Sequence, residues 1–144
     1  MKKLLNLIFH AGNYPFNISL SLLFIRVIAG SFMLTHGYGK FLMLTGDGPV
    51  QFANPIGIGM TATLALAVLA EFICSILLIF GVATRLSAIP LLTTMLVAAL
   101  IVHAQDPFMN KELPFLYASV FLTIIIAGAG KFSVDNWISN KLKI

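Results

Sequence analysis

The stretch "RVIAGSFMLTHGYGK", from Arg26 to Lys40, indicates a membrane protein. It is a strongly apolar run typical of a membrane helix, yet it carries an arginine, a histidine and a lysine and no acidic residue. An ionised side chain at the centre of a membrane helix costs about 2.5–3.5 kcal/mol on insertion scales. We therefore expect these groups to find their partners on other helices.

The composition indicates that the solvent is a bilayer. The chain has 144 residues, of which 59% are hydrophobic and 10% are charged, whereas soluble domains are about 25% charged. Its formal net charge of +4 comes from Lys and Arg residues scattered between apolar runs, so we predict no nucleic-acid partner. The single cysteine, Cys74, excludes a disulfide framework and thiol–disulfide exchange by this chain alone.

Four apolar segments follow one another along the chain, and turn-forming stretches separate them. They predict helices at about 18–44, 56–80, 86–104 and 112–130, each near or above the roughly 17–20 residues that a bilayer requires. No linker or boundary divides the chain, so residues 1–144 are expected to form one domain. The predicted fold is an all-α membrane protein, an antiparallel bundle of four transmembrane helices.

The distribution of Lys and Arg predicts the orientation of this bundle. One side collects six of them, and the other has only Lys40 and Lys111; the positive-inside rule then places both termini in the cytoplasm. The N-terminal "MKKLLNLIF" is expected to be a retained interfacial helix rather than a cleaved signal peptide. The tail "DNWISNKLKI" has the same character, because Trp137 suits the headgroup level.

Arg26 and Glu71 are expected to form an ion pair within the membrane. Arg26 lies about eight residues from the cytoplasmic end of the first predicted helix, and Glu71 about nine residues from the same end of the second, so their depths match within about one helical turn. Arginine can hold a carboxylate through two hydrogen bonds. In the alternative, Arg26 reaches the headgroups while Glu71 is protonated.

A second group of ionisable residues is expected near the outer boundary. His36 and Lys40 share a face of the first helix, His103 ends the third helix and Glu112 opens the fourth. Asp106 in the connecting loop can join them. Each one alone is also explained as a polar helix end or an anchoring side chain, but together they predict a functional pocket.

Within this pocket we assign catalytic roles to His36, His103 and Glu112: either histidine can transfer a proton, and Glu112 can orient it. Gly37, Lys40 and Met33 are assigned to ligand binding. Imidazole titrates near neutral pH, and glycine lets a ligand or helix approach closely. No metal site is predicted, because two histidines without a spaced motif are a weak ligand set for metal or haem.

Four quoted stretches together resemble the DoxX family: "LLFIRVIAGSFMLTHGYGKF", "LAEFICSILLIFGVATRLSAIPLL", "MLVAALIVHAQDPF" and "KELPFLYASVFLTIIIAGAGKFSVD". The resemblance runs from about Leu20 to Trp137. It implies a four-helix, multi-pass inner-membrane protein of bacterial or archaeal type. The family's charged positions fall on Arg26, His36, Lys40, Glu71, Arg85, His103, Glu112 and Asp135. The family is named after a small subunit of a thiosulfate:quinone oxidoreductase, and other members are associated with quinone and thiol-stress responses.

This resemblance implies a redox-associated module that binds a quinone or a similar small amphiphile and works with a partner oxidoreductase subunit. The chain shows no flavin or cluster motif, so no intrinsic cofactor is expected, and an activity of the chain alone is left open. A non-catalytic scaffold for a partner enzyme is the main alternative. A small-molecule carrier ranks last, because four helices are few for transport unless the chain forms a homodimer.

Overall fold

The computed structural model describes residues 9–142, and the regular elements in that range are all helices. They are α1 (Phe16–Thr45), α2 (Met60–Phe80), α3 (Thr84–Val102), α4 (Phe108–Ala127) and α5 (Val134–Leu142). The first four are long and apolar enough to cross a membrane. This confirms the predicted all-α class with four spanning helices. The predicted N-terminal interfacial helix falls on residues 1–9, almost wholly outside the described part of the chain.

Glycine and proline explain where the helices begin and end. The second helix begins at Met60 rather than near residue 56, because Gly57 and Gly59 have φ angles of +73° and +100°, a backbone conformation that no α-helix contains. The fourth begins at Phe108, directly after Pro107. It ends at Ala127, because Gly128 has a φ angle of +86°.

The four long helices share one core of mostly small and flexible side chains. The buried apolar residues at its centre are Ala29, Met33, Cys74, Leu78, Ala88, Leu91, Met95, Ala118, Phe121 and Ile124. The faces turned away from this core remain strongly apolar, with Phe24, Phe80 and Ile126 all more than half exposed. Such surfaces are normal for a protein in lipid and rare in water. The exposed apolar faces therefore support the membrane assignment.

Two glycines let α1 and α2 approach closely. A Cβ atom added to Gly37 would lie 2.4 Å from the backbone carbonyl of Glu71, and one added to Gly30 would lie 2.7 Å from Ile79 Cγ1. In lipid, helices associate through close packing and hydrogen bonds rather than through the hydrophobic effect. These contacts also set the register, with Gly37 opposite Glu71.

We call the end of the bundle where α1 begins and α4 ends the terminal end, and the opposite end the loop end. At the terminal end, Arg26 is 1% exposed, and its guanidinium donates hydrogen bonds to Ala129 O at 2.5 Å and Phe132 O at 2.7 Å. Asp135, 2% exposed, accepts hydrogen bonds from the backbone N–H groups of Ala83 and Thr84 at 2.7 and 2.8 Å. We call these six residues the terminal cluster.

The predicted Arg26–Glu71 ion pair is wrong, because each residue has different partners. A Cβ added to Gly81 would lie 2.8 Å from Arg26 Nη1, so Arg26 is level with the end of α2. Glu71 lies ten residues back along α2, or about 15 Å at the usual rise per residue. Helix α1 extends past the end of α2 at this side, and the segment after α4 folds against that extension. The depth of Arg26, counted from the end of α1, therefore cannot be compared with the depth of Glu71, counted from the end of α2.

The tail forms the predicted short helix, α5. Its exposed Trp137 ring lies 4.9 Å from the Lys141 Nζ atom. Asp135 in its first turn joins α5 to the start of α3, as described above. The terminal end is thereby closed by the chain's own backbone.

Candidate functional site

A cavity of about 330 Å³ lies at the loop end, between α1, α2, α3 and the loop that joins α1 to α2. Its size falls within the usual range for small-molecule sites, about 300–1,000 Å³. It is lined by Lys40, Phe52, Ala53, Pro55, Ile56, Thr63, Leu66, Ala67, Glu71, Thr93, Thr94, Val97, Ala98 and Val102. Most of these side chains are apolar, so the walls favour an apolar ligand body.

Lys40 and Glu71 form an ion pair within this lining. The Lys40 ammonium donates a hydrogen bond to Glu71 Oε2, and the two side chains are 27% and 2% exposed. The close approach at Gly37 explains the pair. Gly37 contacts the Glu71 backbone, and Lys40 follows three residues later on the same face of α1. The glycine brings the helices together, and the lysine reaches the carboxylate.

Both π-helical segments of the described chain contribute to the cavity. Leu69–Cys74 in α2 is π-helical and carries Glu71, and Ala98–Val102 in α3 is π-helical and contributes its first and last residues to the lining. A π-helical turn widens the helix and redirects side chains, and such turns are frequent at functional sites. The two irregular turns therefore favour a site at this cavity over one elsewhere in the bundle.

Aromatic side chains border the ion pair. Lys40 Nζ lies 5.9 Å from the centre of the Phe52 ring, within the range of a cation–π interaction. Phe41 and Phe72 stack with ring centres 4.7 Å apart and join α1 to α2 beside the pair. The Thr63 hydroxyl donates to the carbonyl of Gly59, just before α2, at 2.8 Å, and the Thr94 hydroxyl donates to a carbonyl of its own helix at 2.9 Å. Lys40 and Glu71 are thus the ionisable groups that this lining offers a ligand.

The structure brings only one of the predicted pocket residues to this cavity. Lys40 lines it, whereas His36, His103 and Glu112 lie outside its described lining. His36 is exposed on the surface of α1, and Glu112 is exposed near the start of α4. This cavity is therefore not the pocket predicted from these four residues, because only Lys40 of the four belongs to its described lining. The catalytic roles of the other three stay predictions.

The two other predicted ligand contacts are packing residues in the structure. Met33 is 1% exposed within the core. Gly37 is covered by the backbone of Glu71. Neither lines the cavity, so their contribution to a site is to position α1 against α2.

His103 has a local partner in the loop before α4. Its Nδ1 lies 2.7 Å from Asp106 Oδ2, and Asn110 Nδ2 donates to the same oxygen at 3.3 Å. The hydrogen bond from His103 lowers the pKa of the Asp106 carboxyl, with a smaller contribution from Asn110. Within residues 9–142, no three His, Cys, Asp or Glu side chains come together as a metal site would require.

Sequence reasoning missed Phe52, Thr93 and Ala98 as lining residues. None carries a chemical signal, since apolar and hydroxyl side chains are common in membrane helices. The pairing of Lys40 with Glu71 had a usable signal. Lys40 lies close to the loop end of α1. Gly37, on the same face of α1, lies where α1 and α2 come closest.

Comparison with known proteins gives consistent results. The chain matches the family model DoxX over residues 21–104. It is 29% identical to the Bacillus subtilis protein named "Putative oxidoreductase CatD", over 81% of this chain and 85% of that protein. It is 32% identical to an uncharacterized Haemophilus influenzae protein, covering 80% and 88% of the two chains. An uncharacterized membrane protein of Mycobacterium tuberculosis is 30% identical, covering 84% and 83%. No solved structure is significantly similar. The chain therefore belongs to the DoxX family of membrane proteins.

Proposed function

We propose that the loop-end cavity binds the head group of a quinone or a similar small amphiphile, and that the protein works with a partner oxidoreductase. One observation carries this proposal. A nearly fully buried carboxylate, Glu71, is paired with Lys40 in the wall of an otherwise apolar cavity of about 330 Å³. Buried charges are costly in a membrane, and those that membrane helices retain usually serve function.

The walls of the cavity suit an apolar ring or chain. Leu66, Ala67 and Val97 line it, and the threonine hydroxyls described above donate to backbone carbonyls. Leu66, Thr93 and Val102 are also exposed on the outer surfaces of α2 and α3. A ligand tail can therefore pass between these two helices into lipid, which suits an amphiphile better than a water-soluble metabolite.

Lys40 supplies the hydrogen-bond chemistry that a quinone needs. A quinone carbonyl only accepts hydrogen bonds, and a lysine ammonium has three donors. One of them is directed to Glu71, and the others are free to meet a carbonyl oxygen in the cavity. When the quinone is reduced, the Lys40–Glu71 pair can deliver one of the two protons that its oxygens take up, so the pair can both orient the ligand and move a proton.

Electron transfer requires a second component in this proposal. Reduction of a quinone consumes two electrons and two protons, and the one cysteine of this chain cannot cycle between a dithiol and a disulfide by itself. The partner subunit supplies the electrons, and this chain supplies the membrane-embedded binding site. The name of the Bacillus subtilis relative, an oxidoreductase, supports a redox context for the cavity.

Binding of a short-chain benzoquinone or naphthoquinone to the full chain in mild detergent tests this proposal. We expect the quinone to raise the unfolding midpoint of the protein, because a ligand that binds only the folded state stabilises it. Ala98→Leu should abolish the rise, since the larger side chain occupies the cavity without touching the ion pair. Ala104→Leu, in an exposed loop position, is the matched control. Equal shifts in both variants would exclude the cavity as the site.

A specific observation also favours an accessory role as second candidate. Thr35, His36 and Gly39 are exposed on one surface of α1, and nothing lies within 4 Å of a Cβ added to Gly39. Small and polar residues mark the faces through which membrane helices associate. Here the partner subunit would contact this surface. Loss of co-purification in His36→Leu, with unchanged quinone binding, would support this role.

We also propose that both termini face the cytoplasm of the inner membrane. The terminal end carries Arg85, Lys131 and Lys141, whereas Lys111 and the acidic residues Asp47, Asp106 and Glu112 occupy the loop end. This asymmetry follows the positive-inside rule. Fusion of a reporter that is active only in the cytoplasm to residue 144 should give signal, and a periplasmic reporter at the same place should give none.

A further inference from the structure

A second cavity, of about 290 Å³, lies at the terminal end and differs in character from the first. It is enclosed by the segment before α1, the turn after α4 and one face of α5. His10, Asn13, Lys131, Asn136 and Asn140 contribute its polar lining. These side chains offer cationic and amide donors, and no carboxylate is among the described lining residues.

Hydrogen bonds between distant parts of the chain hold the walls of this cavity in place. Gly130 N donates to Ala11 O at 2.8 Å, and the Tyr14 hydroxyl donates to Ala127 O at 3.0 Å. Asn136 Nδ2 donates to Lys131 O at 3.0 Å. The segment before α1 is thus fixed to the turn after α4, and that turn is fixed to α5, so the cavity is formed before any ligand arrives.

The charge balance at this end favours an anion. The cations of the described residues at this end are Arg85, Lys131, Lys141 and the buried Arg26, whose guanidinium donates to Ala129 O and Phe132 O. The acidic residue nearby is Asp135. Asp135 is buried and accepts hydrogen bonds from Ala83 N and Thr84 N, and it does not belong to the described lining of the cavity. The four other acidic residues of the chain belong to the loop end or to the cavity there.

Apolar side chains beside the cavity indicate that it lies at the membrane surface. Phe132, next to Lys131, packs edge-on against Phe16 with ring centres 5.6 Å apart, and both rings are exposed. Trp137 is 62% exposed on α5, and tryptophan prefers the headgroup level of a bilayer. A polar, cationic cavity at that level is bordered by aromatic rings suited to an acyl chain.

We infer that the terminal-end cavity is a binding site for the phosphate group of an anionic phospholipid. The ammonium of Lys131 and the ring of His10 contact the phosphate oxygens, and the amides of Asn13 and Asn140 hold the rest of the head group. The acyl chains pass over the exposed rings of Phe132 and Phe16. This site does not depend on the quinone proposal, because it lies at the opposite end of the bundle.

The test uses the full chain in mild detergent and four probes: dioctanoyl phosphatidylglycerol, dioctanoyl phosphatidylcholine, glycerol phosphate and inorganic phosphate. Unfolding midpoints and native mass spectrometry report binding. We expect phosphatidylglycerol to raise the midpoint and to remain bound in the gas phase, and phosphatidylcholine to do neither. Lys131→Gln should weaken phosphatidylglycerol about fivefold, since one lysine near a membrane surface contributes about that factor.

Lys111→Gln is the matched control, because it removes the same charge from the loop end, where Lys111 donates to Ala104 O at 2.8 Å. It should leave phosphatidylglycerol binding unchanged. Equal losses in the two variants, or equal effects of the two lipids, would overturn the proposal. A shift from inorganic phosphate or glycerol phosphate as large as that from the lipid would overturn the lipid assignment and identify a soluble phosphate compound as the ligand.

Discussion

The two ends of helix α1 each carry a cation, one buried and one partly exposed, and the two cations have different kinds of partner. Arg26 at the terminal end is 1% exposed and donates to two backbone carbonyls, Ala129 O and Phe132 O. Lys40 at the loop end is 27% exposed, pairs with the side chain of Glu71 and borders a cavity of about 330 Å³. The first cation is enclosed by the chain itself, and the second faces open volume.

This difference distinguishes contacts that stabilise the fold from an ion pair that a ligand in the cavity can reach. A backbone carbonyl cannot change its protonation state, so the Arg26 contacts can only stabilise the fold. A carboxylate beside a cavity can exchange a proton and can share its lysine with a ligand. Substitutions in the terminal cluster should therefore lower the stability of the protein, and substitutions of Lys40 or Glu71 should weaken ligand binding.

Arg26→Leu is expected to have the largest effect. The substitution leaves two inward-facing carbonyls without donors and Asp135 without the cation that attracts it. Breaking a buried charge cluster costs about 3–5 kcal/mol, which should show as a large loss of the unfolding midpoint in detergent. Arg85→Gln, a half-buried arginine with one long hydrogen bond of 3.3 Å, is the control and should lose less than about 1 kcal/mol.

Gly37→Ala should come next. The added methyl group would lie 2.4 Å from the Glu71 carbonyl, so α1 must move away from α2, at a cost of about 1–3 kcal/mol. Gly39→Ala is the matched control two residues later, since nothing lies within 4 Å of its Cβ. Thermal unfolding of both variants checks this. Equal stability of the two would show that the helices do not cross at Gly37.

A double-mutant cycle on Lys40→Met and Glu71→Gln should show a smaller but specific effect. Residues in contact couple by about 0.5–3 kcal/mol, whereas distant pairs add within about 0.3–0.5 kcal/mol. We expect coupling between Lys40 and Glu71 and additivity between Arg26→Leu and Glu71→Gln. Coupling between Arg26 and Glu71, together with none between Lys40 and Glu71, would show that the Arg26–Glu71 pair predicted from the sequence forms.

The smallest effect is expected at the exposed His103–Asp106 pair. The hydrogen bond from His103 lowers the pKa of Asp106 below its ordinary value of 3.8. A lowered folded-state pKa stabilises the protein above the unfolded pKa, and that stabilisation is lost as the pH falls through the folded pKa. His103→Gln should therefore raise the carboxyl titration midpoint of Asp106, measured by carbon NMR. An unchanged midpoint would show that the pair does not form in solution.

The sequence predicted the four membrane-spanning helices but not how α1 and α2 align with each other. Apolar run lengths predicted four spans, and glycines such as Gly57 and Gly128 explain the ends that were misplaced by a few residues. The partners of Arg26 are backbone carbonyls, which no side-chain pattern reveals. The sequence predicts an interfacial tail after α4, and the fold of that segment back against α1 arises from tertiary packing.

The cavity of the structure differs from the predicted pocket for a related reason. His36, His103 and Glu112 were grouped by depth, but depth does not specify which way a side chain faces. Gly37 and Lys40 lie on one face of α1, and that face meets α2 at Glu71. The two π-helical turns that widen the helices beside the cavity carry no clear signal in the amino-acid pattern, so the open volume between α2 and α3 could not be foreseen.

We propose that the Lys40–Glu71 pair contacts a ligand and that the arginines of the terminal end do not. The most direct test is the dissociation constant of a short-chain quinone for the wild-type chain, the Lys40→Met/Glu71→Gln double variant and Arg85→Gln. We predict that the charge-neutral double variant folds but binds the quinone about tenfold more weakly than the wild type. The reason is that a hydrogen bond to a charged group contributes about 1.5–3 kcal/mol. Arg85→Gln should bind it as the wild type does. A folded double variant with wild-type affinity would contradict the account.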